Sequence, residues 1–359
     1  MIPVISARAI TKYQSSGYAA VRSVVVVTNK SSLSVVVLAG GVGAARFLRG
    51  LALVNEPRST TVIVNTGDDT VMHGLNISPD IDTIIYTLGE AIDAQRGWGL
   101  TNESWRAMES LKRYAKVRPT NSDAASDWFN LGDQDLATHF YRTARRNEGA
   151  DASQITGEIA QAWAIEQQIV PMTNQDVSTV VELVEDCVAG RAGEKISFQE
   201  YFVKYKHGVA VRSIQFVGIE NAKPNALPQL KSADAVVIAP SNPIVSIGPI
   251  RALGGFDATL AKIKNRVVAV SPIVGGRAIK GPADRMLSEL GHESSALGIA
   301  RMYSSIASTL IIDDVDANLK PAIEELGMRC VVTNTIMSSP QIAGELARTA
   351  LDSVKGKNQ

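Results

Sequence analysis

A run of four apolar residues, Val35-Val36-Val37-Leu38, leads after Ala39 into Gly40-Gly41-Val42-Gly43, and residues 44–53 continue in a helix-forming composition. No other feature restricts the fold of this chain so strongly. An apolar run with no polar alternate position belongs to a strand covered on both faces, as strands of parallel sheets are. Further strands of this kind are expected at residues 61–65, 235–238, 267–270, 310–312 and 330–332, with helices at 283–290 and 341–351. Strands alternating with helices imply right-handed crossovers and one parallel sheet.

The middle of the chain follows another pattern. Residues 105–114, 133–146 and 153–165 read as helices, with Asp133 and Ser153 placed to cap two of them. Residues 177–184 and 196–217 alternate as strands. The predicted architecture is α/β: a Rossmann-like, mostly parallel sheet with an inserted helical and β-rich subdomain. Its expected parts are an N-terminal arm (1–33), a first part of the core (34–93), the inserted subdomain (94–207) and a second part of the core (208–359). In the arm, no Asp or Glu precedes Glu56, while Arg8, Lys12, Arg22 and Lys30 are spread among Ser, Ala and Val. A transit peptide has this composition; the reading adopted is a dispensable arm or an extended start, against an edge strand at residues 24–27.

Composition removes several function classes. Lys plus Arg number 36 and Asp plus Glu 36, so the basic excess that grips nucleic acid is missing. Two cysteines, Cys187 and Cys330, and four scattered histidines supply neither a disulfide framework nor a zinc site. No apolar run reaches the roughly 20 residues of a membrane helix. A cytoplasmic enzyme without nucleic-acid or membrane partners is the expectation.

The glycine turn points backbone N–H groups and a helix dipole toward an anion. The third glycine of a dinucleotide fingerprint is replaced by Arg46, and the second strand ends in Asn65 rather than a ribose-binding acid. This argues against an NAD-type oxidoreductase, and no Gly-Lys-Ser/Thr follows to make a P-loop. Acids gather just beyond the second strand: Asp68 and Asp69, then Asp80 and Asp82 at the start of an apolar helix. Carboxylates at strand ends can hold Mg²⁺ beside a diphosphate; singly, they also suit turns and helix caps. Asp135 and His139 are four apart and share a helical face. Two late turns, around Ser241-Asn242 and Ser271 to Gly275, again follow apolar strands. No G-x-S-x-G elbow supplies a nucleophile.

Taken in order, L-A-G-G-V-G-A-A-R-F, N-T-G-D-D-T-V-M-H-G-L, I-S-P-D-I-D-T, R-G-W-G, L-G-D-Q-D-L-A-T-H, A-P-S-N-P-I-V-S-I-G-P-I and S-P-I-V-G-G resemble the 2-phospho-L-lactate transferases of coenzyme F420 biosynthesis, from Ser34 to about Asp352. The resemblance implies Mg²⁺-dependent transfer of a phosphoacid from a guanylated donor (lactyl, enolpyruvyl or glyceryl diphosphoguanosine) to the terminal hydroxyl of the deazaflavin Fo, with release of GMP, by a homodimer. It implies that Gly40, Gly41 and Gly43 face donor phosphates and that Asp68, Asp69 and Asp80 are the metal candidates. Asp82 is expected to touch Fo and, with Asp68, to be catalytic. Asn130, Asp133 and His139 are expected on the substrate side, with Asn130 where relatives often carry a basic residue. Ser241, Asn242, Ser271 and Gly275 are expected to line the guanosine diphosphate. The rival class is a non-catalytic nucleotide-binding regulator, against which R-G-W-G and L-G-D-Q-D-L-A-T-H speak.

Overall fold

The computed structural model describes residues 30–120 and 122–355. In chain order the strands are β1 (Val35–Ala39), β2 (Thr60–Val64), β3 (Thr70–Met72), β4 (Leu75–Ile77), β5 (Gln168–Pro171), β6 (Ser178–Leu183), β7 (Lys195–Ser197), β8 (Val211–Val217), β9 (Ala235–Ile238), β10 (Val267–Val270), β11 (Ile273–Val274), β12 (Arg277–Ala278), β13 (Thr309–Ile312) and β14 (Arg329–Val332). The α-helices are α1 (Gly41–Val54), α2 (Pro79–Leu88), α3 (Arg106–Ala115), α4 (Asp135–Asn147), α5 (Ala152–Ala162), α6 (Leu227–Ser232), α7 (Gly248–Ala252), α8 (Phe256–Lys262), α9 (Ala283–Glu289), α10 (Ala296–Tyr303), α11 (Lys320–Glu325) and α12 (Pro340–Lys355).

Seven strands form the central sheet in the order β14-β13-β10-β9-β1-β2-β5, every pair parallel. Alternate residues of β1 serve opposite faces. Val36 and Leu38 join the core built with α6, α7, α8 and α10, while Val35, Val37 and Ala39 join the core built with α1, α2, α5 and α12. A strand with two buried faces has no place for a polar residue, which accounts for the apolar run. The chain leaves β1 toward β2 and β5, then returns to β9 on the other side of β1. Strand order therefore reverses between β1 and β9. Open α/β sheets bind ligands in the crevice at such a point.

The expected inserted segment, 94–207, contains a core strand: β5 pairs with β2 from Thr61↔Gln168 to Val64↔Pro171. Two excursions therefore leave the sheet. One carries α3 and α4 ahead of β5; the other is the antiparallel sheet β7-β6-β8 with its own small core around Val181, Ile196, Phe198 and Tyr201. Residues 196–217 are not one alternating strand, because a π-helical turn at Glu200–Lys204 separates β7 from β8. The caps differ from expectation too. Asp151, not Ser153, caps α5 through a reciprocal box with Gln154. Of the 1–33 arm, residues 30–33 are described; the Ser31 N–H donates to the Val54 carbonyl and its own carbonyl accepts from Glu56. The valines at 24–27 lie outside the described residues. Among the described residues no helix is long and apolar enough to cross a membrane.

Candidate active site

A cleft of 660 Å³ opens at the reversal between β1 and β9. Its floor is the junction of two loops. The Ser241 hydroxyl donates to the Gly40 carbonyl at 2.8 Å and accepts from the Gly40 N–H at 3.3 Å, tying the loop after β1 to the loop after β9. Gly40, Gly41 and Gly43 all line the cleft, but protein fills the space their side chains would take. A Cβ on Gly40 would lie 2.5 Å from Asp80 Oδ2, and one on Gly43 would lie 2.1 Å from the Pro240 carbonyl oxygen. Gly41 has a φ of +71°, a conformation glycine adopts without strain, and its N–H is bonded to Asp80. The turn is thus glycine-rich first because α1, α2 and the Pro240 loop approach so closely.

Asn65, immediately after β2, organises the acids. Its Nδ2 donates to Asp68 Oδ1 (3.1 Å), Asp80 Oδ2 (3.0 Å) and the Val245 carbonyl (3.3 Å), and its Oδ1 accepts from the Gly67 N–H (2.8 Å). Burial, followed by the charges of Asp80 and Asp69, holds the Asp68 carboxyl well above the usual carboxylate range. Burial pushes Asp80 up to about 6, moderated by the bonds from Asn65 and Gly41. Neither carboxylate has an ion-pair partner among the described residues. Asp69 goes elsewhere: it accepts from the Ser78 hydroxyl at 2.7 Å and lines a separate 510 Å³ cavity, divided from the cleft by Asp68, Ile77, Phe198 and Gln199. Burial raises Asp69 to about 8, moderated first by the Ser78 bond.

Asp82, one helical turn into α2, borders the cleft but is not a free ligand, because both its oxygens are held by Arg142 of α4. His139 and Asp135 lie on the same face of α4, and Tyr86 of α2 donates to Asp135 Oδ1 at 2.6 Å. Burial opposes ionisation of Asp135, and His139, Tyr86 and Arg142 more than offset it, so its carboxyl stays below the usual range. The outer cleft carries Arg46, Arg96, Lys280 and the rings of Trp98, Phe129 and Phe202. Arg96 is pinned by Asp93 (3.0 Å) and lies over the Trp98 and Trp105 rings at 5.5 and 5.3 Å. Arg46 and Lys280 have no acidic partner among the described residues, and burial, then the charge of Arg46, lowers the Lys280 ammonium below its ordinary range. Unneutralised cations facing a helix N-terminus make a site for an anion.

The model of the 2-phospho-L-lactate transferase (CofD) family matches residues 35–318. This chain belongs to that family. It is 40% identical over 323 residues to a phosphoenolpyruvate transferase of Streptomyces griseus, covering 89% of this chain and 98% of that protein. It is 37% identical over 335 residues to the phosphoenolpyruvate transferase of Mycobacterium tuberculosis, with 89% and 98% covered. A solved UPF0052-family protein of Bacillus halodurans shares the fold, with a TM-score of 0.54 at 14% identity over 90% of this chain and 99% of that one. As a 2-phospho-L-lactate transferase family member, the chain is an enzyme that transfers phosphoacid groups in F420 biosynthesis.

Against that background, the expected site residues separate. Gly40, Gly41, Gly43, Asp68, Asp80, Asp82, Asn130, His139, Ser241, Asn242 and Ser271 come together on the cleft. Three do not line it: Asp69, Asp133 and Gly275. Asp133 does not cap its own helix; it accepts from the N–H groups of Arg106 and Ala107 at 3.1 and 3.0 Å and so caps α3. Gly275 turns the β11–β12 hairpin and donates to Asp316. Ser271 and Asn242 act as turn formers, with the Ser271 hydroxyl on the Ile273 carbonyl and Asn242 Oδ1 on the Ile244 N–H. Sequence reading missed Asn65, treated only as an absent acid, together with Arg142 and Lys280. Helical periodicity could have found Arg142, which is seven residues after Asp135 and three after His139. Nothing local singles out Lys280.

Proposed function

We propose that the enzyme transfers a phosphoacid from its guanosine diphosphate conjugate to the terminal ribityl hydroxyl of Fo. The hydroxyl oxygen bonds to the phosphorus bearing the acid and gives up its proton to water, the bond from that phosphorus to GMP breaks, and GMP leaves with the electron pair. The observation that carries this reading is the single cleft in which a helix N-terminus, two unneutralised cations and an aromatic wall surround the buried Asp68–Asp80 pair. Arg46, Lys280 and the start of α1 would grip the donor phosphates. Trp98, Phe129 and Phe202 offer flat surfaces for a heterocycle. Direct displacement asks for position and charge neutralisation, not a nucleophilic side chain. The names of the relatives favour the enolpyruvyl donor, which makes dehydro-F420-0 the product. Mass analysis after incubation with Fo, Mg²⁺ and each of the three donors tests this: the enolpyruvyl donor should give product plus GMP, and no adduct from any donor sinks the reading. A cytoplasmic homodimer goes with it, checked by light scattering.

Asp68 and Asp80 fit Mg²⁺. They are buried carboxylates sharing one amide donor and no cation, and Mg²⁺ needs only one or two protein carboxylates beside phosphate oxygens. Among the described residues no three acidic, His or Cys side chains form a closed cage, and Asp69 is turned away. When bound, the ion would neutralise charge on the phosphoryl oxygens.

A pH test follows from the raised carboxyls. In the fold, burial pushes the Asp80 carboxyl up to about 6 and Asp69 up to about 8, against about 3.9 for an Asp in an unfolded chain. The folded form therefore holds these protons where the unfolded chain has lost them. Their contribution to stability is full below about pH 4 and is lost as pH rises through 6 to 8. In chelator, these groups should lower the thermal midpoint between pH 5.5 and 8.5, with Asp69→Asn flattening the slope. Mg²⁺ should raise the midpoint more at pH 8 than at pH 5.5. An equal Mg²⁺ effect at both pH values counts against the Asp68–Asp80 site.

A further inference from the structure

We infer that Arg142 is a positioning residue that sets one carboxylate of the cleft and one histidine tautomer at once. The inference rests on the reading of Asp82 as the cleft wall beside the acceptor. Arg142 and Asp82 side chains are each 7% exposed. Arg142 Nη1 donates to Asp82 Oδ2 at 3.1 Å, and Nη2 donates to Asp82 Oδ1. A planar guanidinium engaging both oxygens leaves the carboxylate one orientation, which an ammonium could not impose.

The same Nη1 lies 3.1 Å from His139 Nδ1. A guanidinium is only a donor, so Nδ1 is the acceptor and the ring proton sits on Nε2. The alternative, a proton on Nδ1, would face the guanidinium with its nearest acid, Asp82 Oδ2, 3.8 Å away and outside hydrogen-bond reach. The other ring nitrogen, Nε2, is buried 3.3 Å from Asp135 Oδ1, the oxygen that accepts from Tyr86, but off the line of a hydrogen bond. Arg142 Nη1 further reaches the Asn76 carbonyl at 3.4 Å, anchoring it to β4, the strand before α2. Through this one side chain, α4 of the helical excursion holds α2 of the core in register, and His139 Nδ1 is occupied by Arg142 instead of standing free as a base toward the cleft.

The test uses the full chain. Arg142→Lys keeps the charge and loses the fork. It should leave GDP binding by calorimetry unchanged while kcat falls by about thirty- to a hundredfold, the scale of a small misplacement. Free guanidinium should restore part of kcat to Arg142→Ala and none to the Asp82→Asn/Arg142→Ala pair. ¹⁵N NMR of histidine-labelled protein, assigned with His139→Gln, should show the Nε2–H tautomer in the wild type and its loss in Arg142→Ala, which removes the donor facing Nδ1. A wild-type kcat in Arg142→Lys, equal rescue in the double variant, or an Nδ1–H signal in the wild type overturns the inference. If Arg142→Ala does not fold, Arg142→Lys and the wild-type NMR decide. A wild-type chain inactive with every donor defeats the functional reading instead, and the tautomer still decides the lock.

Discussion

Asn65→Asp is expected to lower kcat/KM by at least about a hundredfold, as misplacement of reacting groups does. The amide is the shared donor of Asp68 and Asp80, at 3.1 and 3.0 Å. A third carboxylate in its place removes that donor and adds a like charge to two carboxyls already raised by burial. The variant should be less stable at pH 8 than at pH 6, since protonation relieves the crowding. Asn65→Ala should destabilise by about 2–3 kcal/mol, the scale of a lost hydrogen bond to a charged group. Steady-state kinetics and thermal midpoints at the two pH values check both. Turnover close to wild type in Asn65→Asp would remove the Asp68–Asp80 pair from the machinery.

Gly43→Val should be primarily a folding defect. Its Cβ would stand 2.1 Å from the Pro240 carbonyl oxygen, so α1 or the loop after β9 must move. Overpacking of this kind costs about 1–3 kcal/mol or more, and the midpoint should fall by several degrees. Donor and acceptor binding should weaken together, because both lie against the displaced junction. A variant with a normal midpoint that has lost GDP binding alone would return Gly43 to direct phosphate contact.

Much of this protein was legible from local chemistry. The strands at β1, β9, β10 and β13 could be read because burial on both faces forbids polar residues along their length. The acids after β2 and at the start of α2 could be placed near the cleft because strand ends in a parallel sheet converge there. Relative direction was not legible. Asp68 and Asp69 are adjacent in sequence, yet Asp68 borders the cleft as well as the neighbouring cavity, and Asp69 only that cavity. Asp133 and Asp135 are two apart, yet one caps α3 and the other meets Tyr86. Whether a polar side chain serves a cap, a turn or a ligand depends on which donors stand opposite it, and those come from distant parts of the chain. The sequence by itself therefore determined the sheet, its glycine-rich turn and the family chemistry those motifs carry. Only the tertiary structure decided that Asn65 joins two acids, that Arg142 holds Asp82, and that Lys280 reaches the cleft, because each depends on the packing of elements far apart in the chain.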